Sequence, residues 1–185
     1  MSYPNTDALL SSISNTVVAS YTDIYEPLSL LHISAYRSSI VELSTYLKLS
    51  STFNLDMALD AFAIDVLEHE FRFTVVYQIQ SSVNNQCVRI VTKLYDGLAL
   101  GSIQELFPGL NWAEREIWDL SGIFFINHPD LRRILTDYGF SGHPLRKDFP
   151  VSGFRETQYS DITKQVIYKD VELSQSLRVP AVTSV

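Results

Sequence analysis

Three carboxylates lie close together in the chain and are the first candidates for acid–base chemistry: Glu114, Glu116 and Asp119. A hydrolase that works with paired carboxylates needs two of them to converge in one cleft. Glu114 and Glu116 are two positions apart, and an α-helix turns such neighbours about 200° away from each other. We therefore interpret the three carboxylates as structural.

The same short segment has the spacing of a helix start. Asn111 and Glu114 predict a variant of the capping box. Glu116 lies in the first predicted turn, where the helix dipole favours an anion. Arg115 and Asp119 are spaced i, i+4 and predict an ion pair on the helix surface.

Two histidines and an aspartate, His128, Asp130 and His143, are the candidates for a metal site. Metal sites built from histidine and cysteine usually show close spacings such as HxxxH or CxxC, and none occurs here. Each histidine is followed directly by a proline. We interpret His128 as a residue at the start of a helix and His143 as a turn residue, and predict no metal.

The sequence also lacks a motif for nucleophilic catalysis and a motif for nucleotide binding. The sequence has no GxSxG elbow, and Cys87 lies in a strand pattern without an evident base. Gly97 and Gly101 are not followed by the GK[ST] of a P-loop. A single cysteine cannot hold an iron–sulfur cluster. We expect no catalytic, cofactor-binding or metal-binding residue in this chain.

Basic side chains remain between residues 130 and 150: Arg132, Arg133, Arg146 and Lys147. They alternate with aspartates and prolines, and the surrounding 40 residues are rich in tryptophan, phenylalanine and tyrosine. Arginine and aromatic residues are enriched at protein interfaces. The composition therefore favours a surface that docks on a partner protein.

Hydrophobic periodicity predicts the elements that position these residues. Residues 71–80 and 87–94 alternate with period two and predict an antiparallel hairpin. The apolar runs at residues 28–34 and 59–66 predict further strands. Helical stripes are predicted in two places upstream of the hairpin: Leu10, Ile13 and Val17, and then Tyr36, Ile40, Leu43 and Leu47.

Downstream, the signals change to short helices and turns. A helix from Asn111 is predicted to end at Gly122 in a left-handed conformation. Pro129 predicts the start of a second helix, with the following apolar stripe: Leu131, Ile134, Leu135 and Tyr138. Residues 151–185 have little periodicity and predict an extended arm, either disordered or laid over a neighbouring protein.

These elements predict an α+β fold, with a small antiparallel or mixed sheet, two or more helices and an extended C-terminal arm. The predicted organisation is an N-terminal extension with a helix (1–27), an α+β domain (28–110), a block of two short helices and a Pro/Gly-rich segment (111–150), and a tail (151–185). The formal charge of −7 argues against nucleic-acid binding. No apolar run approaches the roughly 20 residues that span a bilayer.

One block has a specific resemblance. The stretch "NWAEREIWDLSGIFFINHPDLRRILTDYGFSGHPLRKDFP", residues 111–150, is similar to the signature of a peripheral-arm core subunit of respiratory complex I. Bacteria designate that protein the C subunit, and it is subunit 9 of NADH dehydrogenase when mitochondria encode it. The block combines ERE, a WD dipeptide, HPDLRRIL and GHPLRKDFP in order, and weaker similarity extends over about residues 28–156.

The resemblance implies a non-catalytic structural subunit of a proton-translocating NADH:ubiquinone oxidoreductase, which supports electron transfer from NADH to ubiquinone. It implies a C-terminal extension wrapped on the large quinone-site subunit, with FMN and iron–sulfur clusters in partner subunits and no cofactor in this chain. It also implies that the following residues fix the turns of the block and pair with that partner: Glu114, Arg115, Glu116, Asp119, His128, Arg132, Arg133, Gly142, His143, Pro144, Arg146, Lys147 and Asp148.

The resemblance and the N-terminus together favour a mitochondrial location. No Lys or Arg precedes Arg37, so no import signal is visible. We expect an organelle-encoded peripheral subunit on the matrix side of the inner membrane, without a span of its own. The alternatives are a homologous subunit of a related membrane-bound oxidoreductase with another electron donor, or a free-standing small-molecule enzyme that uses Asp119 and His128.

Overall fold

The structure is a computed structural model of the chain and describes residues 18–21, 30–51 and 53–175. The helix predicted around Leu10, Ile13 and Val17 lies outside the described residues. The chain divides into two compact units, Met1–Asp148 and Phe149–Val185. All the predicted site residues belong to the first unit.

Five of the described strands form one sheet in the order β1-β2-β5-β4-β3. They are β1 (Val18–Tyr21), β2 (Leu30–Ala35), β3 (Met57–Asp65), β4 (Phe73–Gln80) and β5 (Cys87–Leu94). β2 and β5 are parallel, and the other neighbours are antiparallel. Phe73 lies opposite Leu94 and Gln80 opposite Cys87, which confirms the predicted hairpin.

The core forms on one face of this sheet because every second side chain of β4 points to it. Phe73, Val75, Tyr77 and Ile79 are almost fully buried. Helix α1 (Ile40–Leu49) covers them with Ile40, Leu43 and Leu47, whose i, i+3, i+7 spacing puts them on one side of the helix. The predicted helical stripe is confirmed, except that Tyr36 lies before α1 and is half exposed.

Strand β3 lies at the edge of the sheet and turns its large apolar residues outward. Phe62 is 39% exposed and Ile64 45% exposed, whereas Ala61 is buried. The strand was correctly predicted, and helix α2 (Leu110–Ser121) packs beside it. Small side chains allow this close approach of helix and strand.

Helix α2 begins at Leu110, and the predicted capping box is wrong. Gly109 is its N-cap residue, and no described side chain caps it. Asn111 is therefore inside the helix, and Glu116 lies beyond its first turn. The predicted C-terminal end is confirmed, since Gly122 adopts φ +80° and its N–H binds the carbonyl of Trp118.

The second predicted helix of this block is also wrong. β7 (Phe125–Ile126) pairs in parallel with β6 (Leu100–Gly101), and from there to Asp148 the described chain forms only turns and bends. The Asp119 carboxylate accepts the N–H groups of Ile134, Leu135 and Thr136. These donors are thus committed to a side chain rather than to a helix, and block 111–150 holds one helix.

The second compact unit contains a hairpin rather than an unpatterned tail. β8 (Arg155–Ser160) and β9 (Gln165–Asp170) are antiparallel, with Arg155 opposite Asp170. Every residue of these two strands except Ser160 is exposed, including Tyr159, Val166 and Tyr168. A two-stranded hairpin alone is marginally stable in water.

Candidate functional site

The signature block is organised around the Asp119 carboxylate, which helix α2 carries on its buried side. Both of its oxygens are used. One oxygen accepts bonds from the Arg133 guanidinium at 2.7 Å and the Thr136 hydroxyl at 2.5 Å. The other accepts the backbone N–H groups of residues 134–136 at 2.9–3.1 Å. One side chain thus fixes the path of the following segment.

The same contacts keep Asp119 ionised. Burial by itself raises the pKa of this carboxyl. The hydrogen bonds from Thr136, from the backbone and from Arg133 outweigh burial and hold the pKa well below its usual range. Asp119 is therefore a fully bonded carboxylate, and His128 lies elsewhere, so the alternative of an Asp119–His128 catalytic pair has no support in this geometry.

Two arginines complete this cluster. Arg133 also donates to the carbonyl of Gly142 at 3.1 Å and lies over the Trp118 ring at 5.6 Å. Arg115 donates to the backbone carbonyls of Arg132 and Arg133 at 3.2 and 3.4 Å. The predicted Arg115–Asp119 ion pair is therefore wrong, because both side chains point to the segment that follows α2.

His143 closes the block against the end of α2. Its Nδ1 lies 2.9 Å from the backbone carbonyl of Asp119, so this nitrogen carries the proton. The ring meets Trp118 edge-on, with centroids 6.5 Å apart. A Cβ atom on Gly122 would lie 2.7 Å from the His143 ring. Gly122 is thus required both for its left-handed backbone and for this close approach.

Glu114 forms a separate buried cluster and does not cap the helix. It accepts hydrogen bonds from the Ser102 hydroxyl at 2.5 Å and the Ile103 N–H at 3.0 Å, and lies 3.4 Å from the Tyr77 hydroxyl. Burial raises the pKa of Glu114, and these hydrogen bonds only partly oppose the rise. Glu114 is thus bound by groups of its own chain.

His128 belongs to this second cluster rather than to a helix start. Its buried Nε2 lies 4.0 Å from the Glu114 carboxyl and has no hydrogen-bond partner among the described residues. Its Nδ1 accepts the backbone N–H of Asp130. Burial lowers the pKa of His128.

A third cluster binds the end of the block to the sheet. The residues of this cluster on the sheet side, Asp65, Arg72 and Asp96, were not among the site residues predicted from the sequence. Arg72 donates to Asp65 at 2.8 Å, to Asp96 at 2.9 Å and to Asp148 at 2.8 Å. Arg146 binds Asp96 at 2.6 Å and Asp148 at 3.3 Å. Arg72 lowers the pKa of Asp148, and Arg146 lowers the pKa of Asp96.

This cluster includes Arg146, Lys147 and Asp148, which were predicted to pair with a partner. Both guanidinium groups lie over the Phe73 ring, at 5.0 and 5.3 Å, and the Lys147 N–H binds Asp65. Residues 146–148 are thus packed against their own sheet. Arg146, which we expected to pair with a partner, is occupied within the chain.

Other predicted residues are on the surface. Glu116 and Lys147 are exposed, and Arg132 pairs with Asp130 at 2.9 Å with both side chains at least half exposed. Gly142 and Pro144 are in the turns around His143, where Gly142 has φ +107°.

The described residues hold no group of three or more His, Cys, Asp and Glu side chains arranged for a metal ion. Nor does the described part of the chain contain a helix with the length and hydropathy of a membrane span.

Comparisons with known proteins identify the family. The sequence model of the respiratory-chain NADH dehydrogenase 30 Kd subunit matches residues 33–155. The C subunit of NADH-quinone oxidoreductase from Paramagnetospirillum magneticum is 45% identical over 148 residues, 80% of this chain and 74% of that protein. NADH dehydrogenase [ubiquinone] iron-sulfur protein 3 of Arabidopsis thaliana is 44% identical over 139 residues, 75% of this chain and 73% of that protein.

A solved structure supports the fold. A chain of the archaeal membrane-bound sulfane sulfur reductase superposes with a TM-score of 0.64 over 78% of this chain and 83% of that chain, at 19% identity. The family match covers α1, α2, the strands from β3 to β7 and all three side-chain clusters. The chain belongs to the family of the 30 Kd subunit of the respiratory-chain NADH dehydrogenase.

Proposed function

We propose that this chain is a non-catalytic docking subunit of NADH:ubiquinone oxidoreductase, placed in its peripheral arm on the large quinone-site subunit. The hairpin of β8 and β9 carries the proposal. Its apolar side chains Tyr159, Ile162 and Val166 are 56%, 95% and 63% exposed. Exposed apolar surface on this scale is typical of a protein–protein contact.

The chemistry of the signature block agrees with a docking role. Asp119, Glu114 and Arg133 are each bound by neighbouring groups of the same chain. None of them is thus available to a substrate. We infer that these residues hold the block in shape, while Glu116, Arg132 and Lys147 remain exposed for a partner.

The electron-transfer groups are assigned to other subunits. Cys87 is the single cysteine, whereas protein-bound iron–sulfur clusters generally use several cysteine ligands. We propose that FMN and the clusters belong to partner subunits, that the assembly translocates protons, and that this chain supports electron transfer by holding its partners in place.

The proposed location is the matrix side of the mitochondrial inner membrane, with membrane attachment through other subunits. The relatives named above come from both a plant and a bacterium, and the resemblance of residues 111–150 to the mitochondrially encoded form of the subunit is our reason for preferring an organelle-encoded subunit.

The test is purification of the tagged chain from native membranes under mild detergent, followed by cross-linking mass spectrometry. We expect an NADH-oxidising, flavin-containing module in the purified assembly, and cross-links from Lys164 and Lys169 of the hairpin, and from Lys147, to the quinone-site subunit. An assembly with the membrane subunits but without NADH oxidation would favour a related oxidoreductase with another donor. A chain that purifies alone and binds a small molecule would contradict the proposal.

A further inference from the structure

A groove runs between the edge strand β3 and helix α2. It consists of two cavities of about 320 and 200 Å³. They adjoin, because Asp60 and Glu116 line both of them. The first is completed by Trp112 and Leu135, and the second by Leu145.

The backbone edge of β3 opens into this groove. Six consecutive residues, 58–63, line the two cavities together. Successive side chains of a strand point to opposite faces, so a cavity on one face would be lined by alternate residues only. β3 pairs with β4 and with no other described strand. Its second edge therefore lies outside the described ladder, and one backbone donor of this strand, the Ala61 N–H, is bound by the Asp60 carboxylate.

The opposite wall of the groove is one stripe of α2. Ala113, Glu116, Ile117 and Leu120 line it at helical spacing. A bulge between Ala58 and Asp60 interrupts the edge, so the added ladder would follow residues 60–63. These four strand residues extend over roughly 13 Å, enough for an added strand of about four residues.

Exposed apolar side chains surround the end of the groove beside the bulge. Trp112 is 64% exposed, Leu135 62% and Leu59 45%. All three line the larger cavity. A large apolar side chain of an added segment can bury them there, since pockets of this kind hold the anchors of peptide complexes.

The charges in the groove indicate the chemistry of the occupant. Asp60 and Glu116 lie at the junction of the cavities and are both exposed, and no Lys or Arg is among the lining residues. A second copy of β3 would bring another Asp60 toward them. The first 36 residues of this chain contain no Lys or Arg that could pair with them. A basic segment of another protein, in contrast, would bring a positive charge to Asp60 and Glu116.

We propose that the groove binds an extended segment of another subunit, which adds a strand to β3, places a Lys or Arg against Asp60 and Glu116, and buries an apolar residue beside Trp112. The inference rests on the proposed function, since it names a further contact within the same assembly. It is separate from the β8–β9 hairpin and from the three clusters of the signature block.

The test uses the photo-cross-linking residue p-benzoylphenylalanine in place of Leu59 in the tagged full-length chain, in cells that assemble the enzyme. The same residue in place of Val83, which is 73% exposed in the β4–β5 turn, is the control. We expect a cross-link from position 59 to an extended, Lys- or Arg-containing peptide of another subunit, and none to that peptide from position 83.

Charge reversal supplies the second readout. In the position 59 background, Asp60→Lys with Glu116→Lys should lower the cross-link yield per assembled chain by about tenfold or more, because like charges would then face each other. Glu42→Lys, an exposed helix position outside the groove, should leave the yield within about twofold.

The outcomes separate this inference from the proposed function. A chain that co-purifies with the enzyme but cross-links from position 59 only to itself, to a second copy or to nothing overturns the groove assignment alone. If charge reversal does not change the cross-link yield from position 59, the inference that the bound segment is basic is wrong. A chain absent from the enzyme overturns both proposals.

Discussion

Replacing Asp119 with asparagine tests whether this carboxylate holds the signature block together. The substitution keeps one oxygen, which can still accept the three backbone N–H groups of residues 134–136. It removes the charged acceptor for Arg133 and Thr136. Hydrogen bonds that involve a charged group contribute about 1.5–3 kcal/mol each, and breaking a buried ion pair costs about 3–5 kcal/mol. We expect Asp119→Asn to lower the free energy of unfolding by about 3–5 kcal/mol.

The assay is urea unfolding of the purified full-length chain, followed by tryptophan fluorescence. Both tryptophans, Trp112 and Trp118, are in α2 and report on the first compact unit. Asp130→Asn is the matched control, because Asp130 pairs with Arg132 on the surface. An exposed pair of this kind contributes less than about 1 kcal/mol.

A double-mutant cycle isolates the ion pair. Arg133→Met alone leaves the buried Asp119 carboxylate without its cation, so we expect a loss of similar size. Residues in direct contact usually couple by about 0.5–3 kcal/mol, and the double variant should lose less than the sum of the single variants by such an amount.

The pH dependence gives an independent check with a defined sign. The folded-state pKa of Asp119 is depressed, so its contribution is complete above the ordinary carboxyl pKa and is lost as pH falls toward the folded-state value. Protonation of the unfolded chain alone costs the wild type about 1 kcal/mol between pH 7 and pH 3. The difference in the free energy of unfolding between the wild type and Asp119→Asn should narrow by that amount. A difference that stays constant with pH would refute the reasoning. A loss on Asp119→Asn no larger than the loss on Asp130→Asn would also refute it.

Three further predictions concern the other contacts. Arg146→Ala should destabilise the isolated chain by about 1–2 kcal/mol, whereas Lys147→Ala should change the urea midpoint little, because the Lys147 side chain is exposed. Gly122→Ala should lower the free energy of unfolding by at least about 1–3 kcal/mol, because it strains a backbone with φ +80° and collides with the His143 ring; Gly109→Ala, which has open space, is its control in the same thermal melt. The pKa of Glu114 is raised, so wild-type stability should fall as pH rises above about 4.5, and Glu114→Gln should flatten that slope between pH 4 and pH 8; an unchanged slope would show that Glu114 is not the titrating group.

Local patterns were sufficient for the elements whose burial repeats along the chain. The alternation in β4 and β5 and the stripe of Ile40, Leu43 and Leu47 predicted a hairpin and a helix that the structure contains. The glycine at position 122 likewise predicted the end of α2. Such patterns succeed because the burial of each side chain depends on which face of its own helix or strand it occupies.

Patterns failed where a side chain is satisfied by a distant segment. Glu114 and Asp119 have the spacing of a cap and a surface pair, yet one meets Tyr77 and Ser102 and the other organises residues 133–136. The helix predicted after Pro129 is absent from the described chain for the same reason, since its backbone donors bind Asp119. An i, i+4 rule cannot report which remote donor lies nearest in space.

The sequence by itself determined the family, the β4–β5 hairpin and the absence of a recognisable catalytic motif, because these depend on residue identity and short spacing. Only the tertiary structure decided that Arg146 binds Asp96 of its own chain and that the edge of β3 opens beside α2. Both outcomes depend on how elements far apart in sequence pack together. The physical reason is that hydrogen bonds and ion pairs depend on distances of a few ångströms in space, whatever the separation of the residues in the sequence.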